Sequence, residues 1–399
     1  MKSKELKNDK DLEGLLAQQA YNFNKTYSGY PYDNDIYNGL FAALKNFNNP
    51  LTQSLAGHDK GAARALVTRS TNANIYSGGS DGRVLRWSNQ NNVWVSEELA
   101  QLTDYQIYAM DISPDGSALA VGGLYPVDRD ANYVLLYDLN TPGAEPKKIT
   151  GYKSDVENIS FTPDGKGFYA RCNSGYSIMY SDLSTSKEVV NSKEKITSVD
   201  LSPDGTKLAG AGVQGNLYIW DIRNNYAGTS YPIIKERNIL AVAFLPDSRG
   251  VVLGDEYGIV RIVDSGVVRR TLSGHTSQIE QIKFSFSGQF MATASKDGTV
   301  RLWNLKALNE QPQVLSDHTW VWSVAFTQDD RQLVAGLHNK EETVEGVNEA
   351  IHAWPTQILM MADELCKKVK QNMTKEDWVL YMRELPYELT CPNLPANNK

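Results

Sequence analysis

The stretch Ile279–Trp303, IEQIKFSFSGQFMATASKDGTVRLW, carries the pattern that decides the fold. Apolar and polar residues alternate in three short runs, and turn residues separate the runs at Ser285–Gly288 and Lys296–Gly298. Runs this short with a period of two are half-buried strands. The same layout recurs along the chain. Turn quartets begin at Ser113, Thr162, Ser202, Leu245, Ser285 and Thr327, 40 to 49 residues apart. An aromatic or β-branched residue closes an alternating run at Trp87, Tyr137, Tyr180, Trp220, Val263, Trp303 and Trp354. Seven units follow, each too small to bury its own faces and therefore bound to stack on its neighbours.

Composition agrees with a packed chain: 41% of the 399 residues are hydrophobic and 22% charged. A formal net charge of −7 argues against a nucleic-acid surface, which needs a basic stripe, and against electrostatic adsorption to anionic lipid. Apolar runs such as Ile239–Leu245 are too short to cross a bilayer, so direct membrane insertion by this chain is not expected. The opening MKSKELKNDKDLEG has lysines but no apolar stretch behind them, so it does not read as a secretory signal.

Gly274 and His275, the turn at Ser285 and the run ASKDGTVRLWN together resemble a WD40 repeat, and Gly57, His58 and GGSDGRVLRW repeat the resemblance in the first unit. The resemblance implies an all-β, seven-bladed propeller in which a histidine, a hydroxyl residue, an aspartate and a tryptophan join the strands of a blade. The matching positions are His58, Ser77, Asp81 and Trp87, and His275, Thr293, Asp297 and Trp303. The fourth unit keeps Trp220 but has Gln214 in place of the aspartate, and the second, third and fifth lack both histidine and tryptophan. Those units are expected to rely on apolar packing.

The family closes its ring by lending the first strand to the last blade. A short strand is expected over Pro50–Leu55, and the last unit ends after Trp354 without a fourth strand. Closure removes two sheet edges that would otherwise template aggregation. The flanks read as helices. Leu12, Leu15, Leu16, Ala20 and Phe23 make one stripe, and Ile36, Leu40, Phe41 and Leu44 a second behind a possible N-cap at Asp33. Ile358, Met361, Ala362, Leu365 and Val369 make a third, and Thr374 with Asp377 has capping-box spacing. The expected divisions are a helical segment over 1–49, the propeller over 50–355 and a helical tail over 356–399.

A second resemblance lies in the flanks. KNDKDLEGLLAQQAYNFNK before the ring, and Leu365, Cys366, Asn372, Trp378, Tyr381, Tyr387, Cys391 and Pro392 after it, are similar to bacterial WD40 proteins. In those proteins the propeller follows a STAND-type NTPase or caspase-like domain. In such relatives a membrane helix often precedes the first helix, which would place the propeller outside the cytoplasm. A native start at Met1 would leave it cytoplasmic. Two readings of Cys366 and Cys391 stand on this basis: a disulfide in an oxidising compartment, or two free thiols.

Little in the sequence points to catalysis. His58 and His275 are accounted for by the structural tetrads, and the histidines at 318, 338 and 352 are scattered without zinc spacing. Neither a phosphate-cradling glycine loop nor a nucleophile elbow is present, and no metal or cofactor is expected. Asp and Gly recur in the quartets because they suit turns. Insertions at Leu124–Tyr133 and His338–Glu349 should flank one sector of one face, with Tyr105, Arg129 and Trp320 as candidate anchors for a protein or peptide partner. The expected function is a non-catalytic binding scaffold or sensor within a larger bacterial signalling protein. The competing class is a hydrolase-like enzyme with its site in the central channel.

Overall fold

The computed structural model describes residues 9–52, 54–58, 62–69, 71–90, 93–125, 132–317, 319–338 and 349–397. Alternation in the sequence becomes seven four-stranded antiparallel sheets, the blades of a propeller. Their strands run within residues 63–101, 106–150, 156–191, 196–232, 239–272 and 279–316 for blades 1 to 6. Blade 7 joins three strands within residues 321–355 to Ser54–Ala56.

The innermost strands are Ala63–Arg69, Gln106–Ile112, Val156–Phe161, Ile196–Leu201, Ile239–Phe244, Ile279–Phe284 and Val321–Phe326. Each packs beside the innermost strand of the next blade, and the first lies beside the last, so the ring is closed. Apolar clusters sit between neighbouring blades: Ile107, Ile112, Leu119 and Val121 pack with Ala65, Val67 and Tyr76 of the preceding blade. Sheet on sheet, each blade buries the face its neighbour leaves open.

The closing strand is shorter and later than the sequence suggests. Asn49 Oδ1 accepts from the Leu51 amide at 3.0 Å and Asn49 O from the Thr52 amide at 3.0 Å, so Pro50–Thr52 is wound into a single 3₁₀ turn. Pairing begins at Ser54, antiparallel to Glu349–Pro355, with Ser54 opposite His352 and Leu55 opposite Ile351. His352 Nε2 lies 2.6 Å from Ser54 Oγ and its Nδ1 faces Asp317, so this histidine ties the closing strand to its blade.

The chain divides into two compact units: residues 54–309 with 314–352, and residues 1–53, 310–313 and 353–399. The second unit contains α1 (Lys10–Thr26), α2 (Asn34–Asn46), α3 (Ile358–Lys368) and α4 (Lys375–Met382). Asp33 caps α2, accepting from Asp35 and Ile36 amides, and Thr374 with Asp377 forms a capping box on α4. All five residues of the third stripe are buried.

In α1 the expected stripe is rotated: the buried residues are Gly14, Leu15, Gln18 and Gln19, and Ala20 is exposed. Polar contacts with the tail engage part of this face. Gln19 Nε2 donates to Glu388 Oε1 at 3.0 Å and Asn22 Nδ2 to Thr390 O at 2.9 Å. In α2, Tyr37 and Ala43 replace Ile36 and Phe41 on the buried face, and Tyr37 Oη donates to Pro355 O. Asn372 clamps the tail, accepting from the Cys391 amide at 2.8 Å and donating to carbonyls of Cys391, Leu394 and Pro395. Cys366 and Cys391 are joined by a disulfide.

Candidate functional site

Two complete tetrads brace blades 1 and 6. His58 Nδ1 lies 3.0 Å from Asp81 and its Nε2 2.8 Å from Ser77 Oγ, which accepts from Trp87 Nε1 at 2.8 Å. His275 repeats this with Asp297 at 2.9 Å and Thr293 at 2.8 Å, and Trp303 Nε1 donates to Thr293 at 3.0 Å. Burial lowers the His275 pKa despite the Asp297 carboxylate. Burial opposes ionisation of Asp297 too, yet its bonds to His275, Thr299 and the Thr276 amide hold it well below the carboxylate range. A neutral, buried imidazole whose two nitrogens are both engaged is scaffold, not a base.

The degenerate blades do not rely on apolar packing alone, and this corrects the sequence reading. In blade 4 the buried Glu194 accepts from Tyr218 Oη at 2.7 Å and Asn216 Nδ2 at 2.8 Å. In blade 5 the buried Asp255 accepts from the Tyr257 and Ile259 amides and pairs with Arg261 at 2.8 Å. Buried carboxylates need such donors, and the polar residues that looked like lost motifs supply them.

The functional geometry arises on the innermost strands. Each carries a β-bulge near its start, at the second residue of six strands and the third of Gln106–Ile112: Arg64, Tyr108, Glu157, Thr197, Leu240, Glu280 and Trp322. A bulge inserts one residue and re-aims its side chain. All seven are half-buried and line one axial cavity of about 420 Å³. The sequence reading missed this ring.

One sector of the ring is aromatic and cationic. The Arg64 guanidinium lies 4.3 Å from the ring centroids of both Tyr108 and Trp322, its neighbours on either side. Lys296 Nζ stands 4.6 Å from the Trp322 ring and 5.1 Å from that of Trp320. Trp320 is 43% exposed, stacks on His338 and meets Trp322 edge-on.

Of the three anchors expected from sequence, Trp320 therefore stands beside the mouth. Tyr105 does not qualify: it is 4% exposed, stacks on Tyr133 and donates to Tyr133 O at 3.2 Å. It sits before an inner strand where apolar packing with blade 1 outweighs solvation of one hydroxyl. Arg129 lies outside the described residues, as do most of both insertions (126–131 and 339–348) and His318.

Farther along the inner strands, Asp111 and Asp200 stand at matching positions three residues beyond the bulges. Asp111 accepts from the Phe161 amide at 2.7 Å and from Arg69, and Asp200 from the Phe244 amide at 2.7 Å. Each thus joins its blade to the next. Burial raises the Asp200 pKa, partly countered by Lys283 and reinforced by Asp111.

The fold is a seven-bladed β-propeller with helical appendages, and it carries WD40 repeats. Residues 185–221, 266–304 and 309–341 match the family described as WD domain, G-beta repeat. The chain is 25% identical over 312 residues to Transcription factor unc-37 of Caenorhabditis elegans, covering 73% of this chain and 47% of that protein. It is 23% identical over 283 residues to Protein groucho of Drosophila melanogaster, covering 68% and 37%. With Protein LST8 homolog of Drosophila pseudoobscura pseudoobscura it shares 23% over 234 residues, covering 55% and 72%. The chain thus spans less than half the length of the first two relatives. The WD40 β-propeller domain of Doa1 superimposes with a TM-score of 0.63 at 18% identity, over 76% of this chain and 95% of that one, a likeness of fold.

Proposed function

We propose that this chain is a non-catalytic scaffold or sensor module that holds a protein or peptide segment at the mouth of its propeller channel. The observation that carries the reading is the ring of seven bulged residues, with Trp320, Trp322, Tyr108 and Arg64 gathered in one sector. Half-exposed tryptophan and arginine are the side chains that dominate interface energies. The relatives it matches include a protein named as a transcription factor, which fits a role in assembling other proteins. The carboxylates that line the channel, Glu157, Asp200 and Glu280, are engaged by Arg171, the Phe244 amide and Lys296, which favours a binding site over a hydrolytic one.

We further read the chain, divided at 1–49, 50–355 and 356–399, as part of a larger bacterial signalling protein. That reading rests on the tail residues alone. Cys366, Asn372, Trp378, Tyr387 and Cys391 act together as one built unit: a disulfide, the Asn372 clamp, and Trp378 and Tyr387 each donating to a backbone carbonyl. The matched relatives named above are from a nematode and flies.

The test is selection of peptides on the intact chain from a displayed library, followed by measurement of the best binder on a Trp320→Ala variant. Affinity should fall roughly tenfold or more, as for an interface anchor. Unchanged affinity would move the site elsewhere.

A further inference from the structure

From the charges at the mouth we infer that the occupant is a peptide segment presenting a carboxylate to Arg64, with an adjacent apolar side chain on the Trp320 and Trp322 rings. The inference rests on the channel mouth being the binding site and adds the chemistry of what it takes.

Four cations line the cavity, Arg64, Arg171, Lys195 and Lys283, with three carboxylates, Glu157, Asp200 and Glu280. The carboxylates are already occupied. Glu157 pairs with Arg171 at 2.7 Å, Glu280 with Lys296 at 3.3 Å, and Asp200 takes the Phe244 amide with Lys283 nearby. Among the described residues, neither Arg64 nor Lys195 has a carboxylate within ion-pair distance. In a chain of formal charge −7 the mouth therefore offers unmatched positive charge.

The form of that charge narrows the ligand. Arg64 is held between two aromatic rings and also bonds the Tyr108 side chain, which fixes the guanidinium and leaves its remaining N–H groups to donate. A planar fork with its faces covered matches a carboxylate bidentately. The ring plates also make the surroundings less polar than water, which strengthens the pair. Beside it, Trp320 offers an exposed face for an apolar neighbour, and Lys296 lies over both tryptophan rings, adding positive potential. A basic ligand would meet Arg64 and Lys195, while the carboxylates lining the cavity are already bonded.

The probes are three labelled, amide-capped peptide pools, each with a fixed central Phe-Glu, Phe-Gln or Phe-Lys pair and mixed flanks, plus a fourth with phosphoserine in place of the glutamate. Binding to the whole chain is read by fluorescence polarisation. The glutamate pool should bind roughly tenfold tighter than its uncharged isostere. That preference should shrink as salt is raised. Arg64→Met should abolish the preference and Arg64→Lys should retain part of it, while Trp320→Ala weakens the Glu and Gln pools alike. Circular dichroism confirms that the variants fold.

Equal binding of the Glu, Gln and Lys pools, or a preference untouched by Arg64→Met, would overturn the carboxylate assignment and leave peptide binding standing. Tighter binding of the phosphoserine pool than of the glutamate pool would overturn it too. Absence of binding by every pool would overturn both this inference and the proposed function.

Discussion

Asp330 and Ser248 stand where the turn quartets of blades 2, 3, 4 and 6 place glycine. All share the left-handed backbone: φ is 55° at Asp330, 60° at Ser248 and 68° at Gly288. A residue with a Cβ is strained there, at a cost of about 1–2 kcal/mol. The structure accounts for both exceptions. Asp330 takes the Phe286 and Ser287 amides of the preceding blade, each at 2.7 Å, and Ser248 Oγ takes the Asp204 amide at 3.3 Å. What reads as a decayed turn is a hook between blades. Asp330→Gly relieves the strain but removes two charge-assisted bonds to partly buried amides that contribute more, so it should destabilise by about 1–2 kcal/mol, with Asp330→Asn in between. Urea midpoints check this. A glycine variant as stable as the parent would show that the hook contributes nothing.

His275 gives a pH dependence. Its folded pKa lies below the ordinary value, so the unfolded chain binds the proton more readily. The corresponding stability is present above about pH 6.5 and is lost as pH falls through the folded value. Asp297, also held low, extends the loss to more acid conditions. Urea midpoints should therefore fall between about pH 7 and about pH 5, and fall less in His275→Gln. Equal slopes in the two proteins would exclude the tetrad as the source.

Among the elements, the closing strand is the smallest and bears the most. Three residues pair with the last blade, and Leu55 is buried opposite Ile351. Leu55→Ala should cost about 2–4 kcal/mol from the cavity alone. Loosening this strand also exposes two sheet edges, so heating should bring aggregation at a lower temperature. A thermal scan with light scattering measures both, and an unshifted transition would mean that the ring does not depend on this strand.

The bulges show what the sequence contained and what was overlooked. In several inner strands the apolar residues recur at an interval of three and then two: Ile107, Met110 and Ile112; Ile196, Val199 and Leu201; Ile279, Ile282 and Phe284. A plain strand would space them by two. The extra residue between the first two is the bulge, and its identity varies from blade to blade because it faces the channel and not the core. Blade number, tetrads and caps were legible because they depend on neighbours within a few dozen residues. The α1 stripe was not, because Gln19 is buried against a tail more than 350 residues away.

At the scale of the whole molecule, seven similar sheets acquire direction from their differences. Bulge residues from seven distant stretches meet around one axis, and only there do Arg64, Tyr108 and Trp322 become neighbours. Tyr105 looked equivalent in sequence and is instead interior, because exposure depends on ring closure and inter-blade packing that no local pattern encodes. The eight tryptophans offer a direct test, since their indole N–H groups report separately in ¹H–¹⁵N spectra. Titration of the labelled chain with a selected peptide should shift the Trp320 and Trp322 indoles and leave those of the buried Trp87 and Trp303 in place. Shifts confined to other tryptophans, with Trp320 and Trp322 unmoved, would contradict a binding site at the channel mouth.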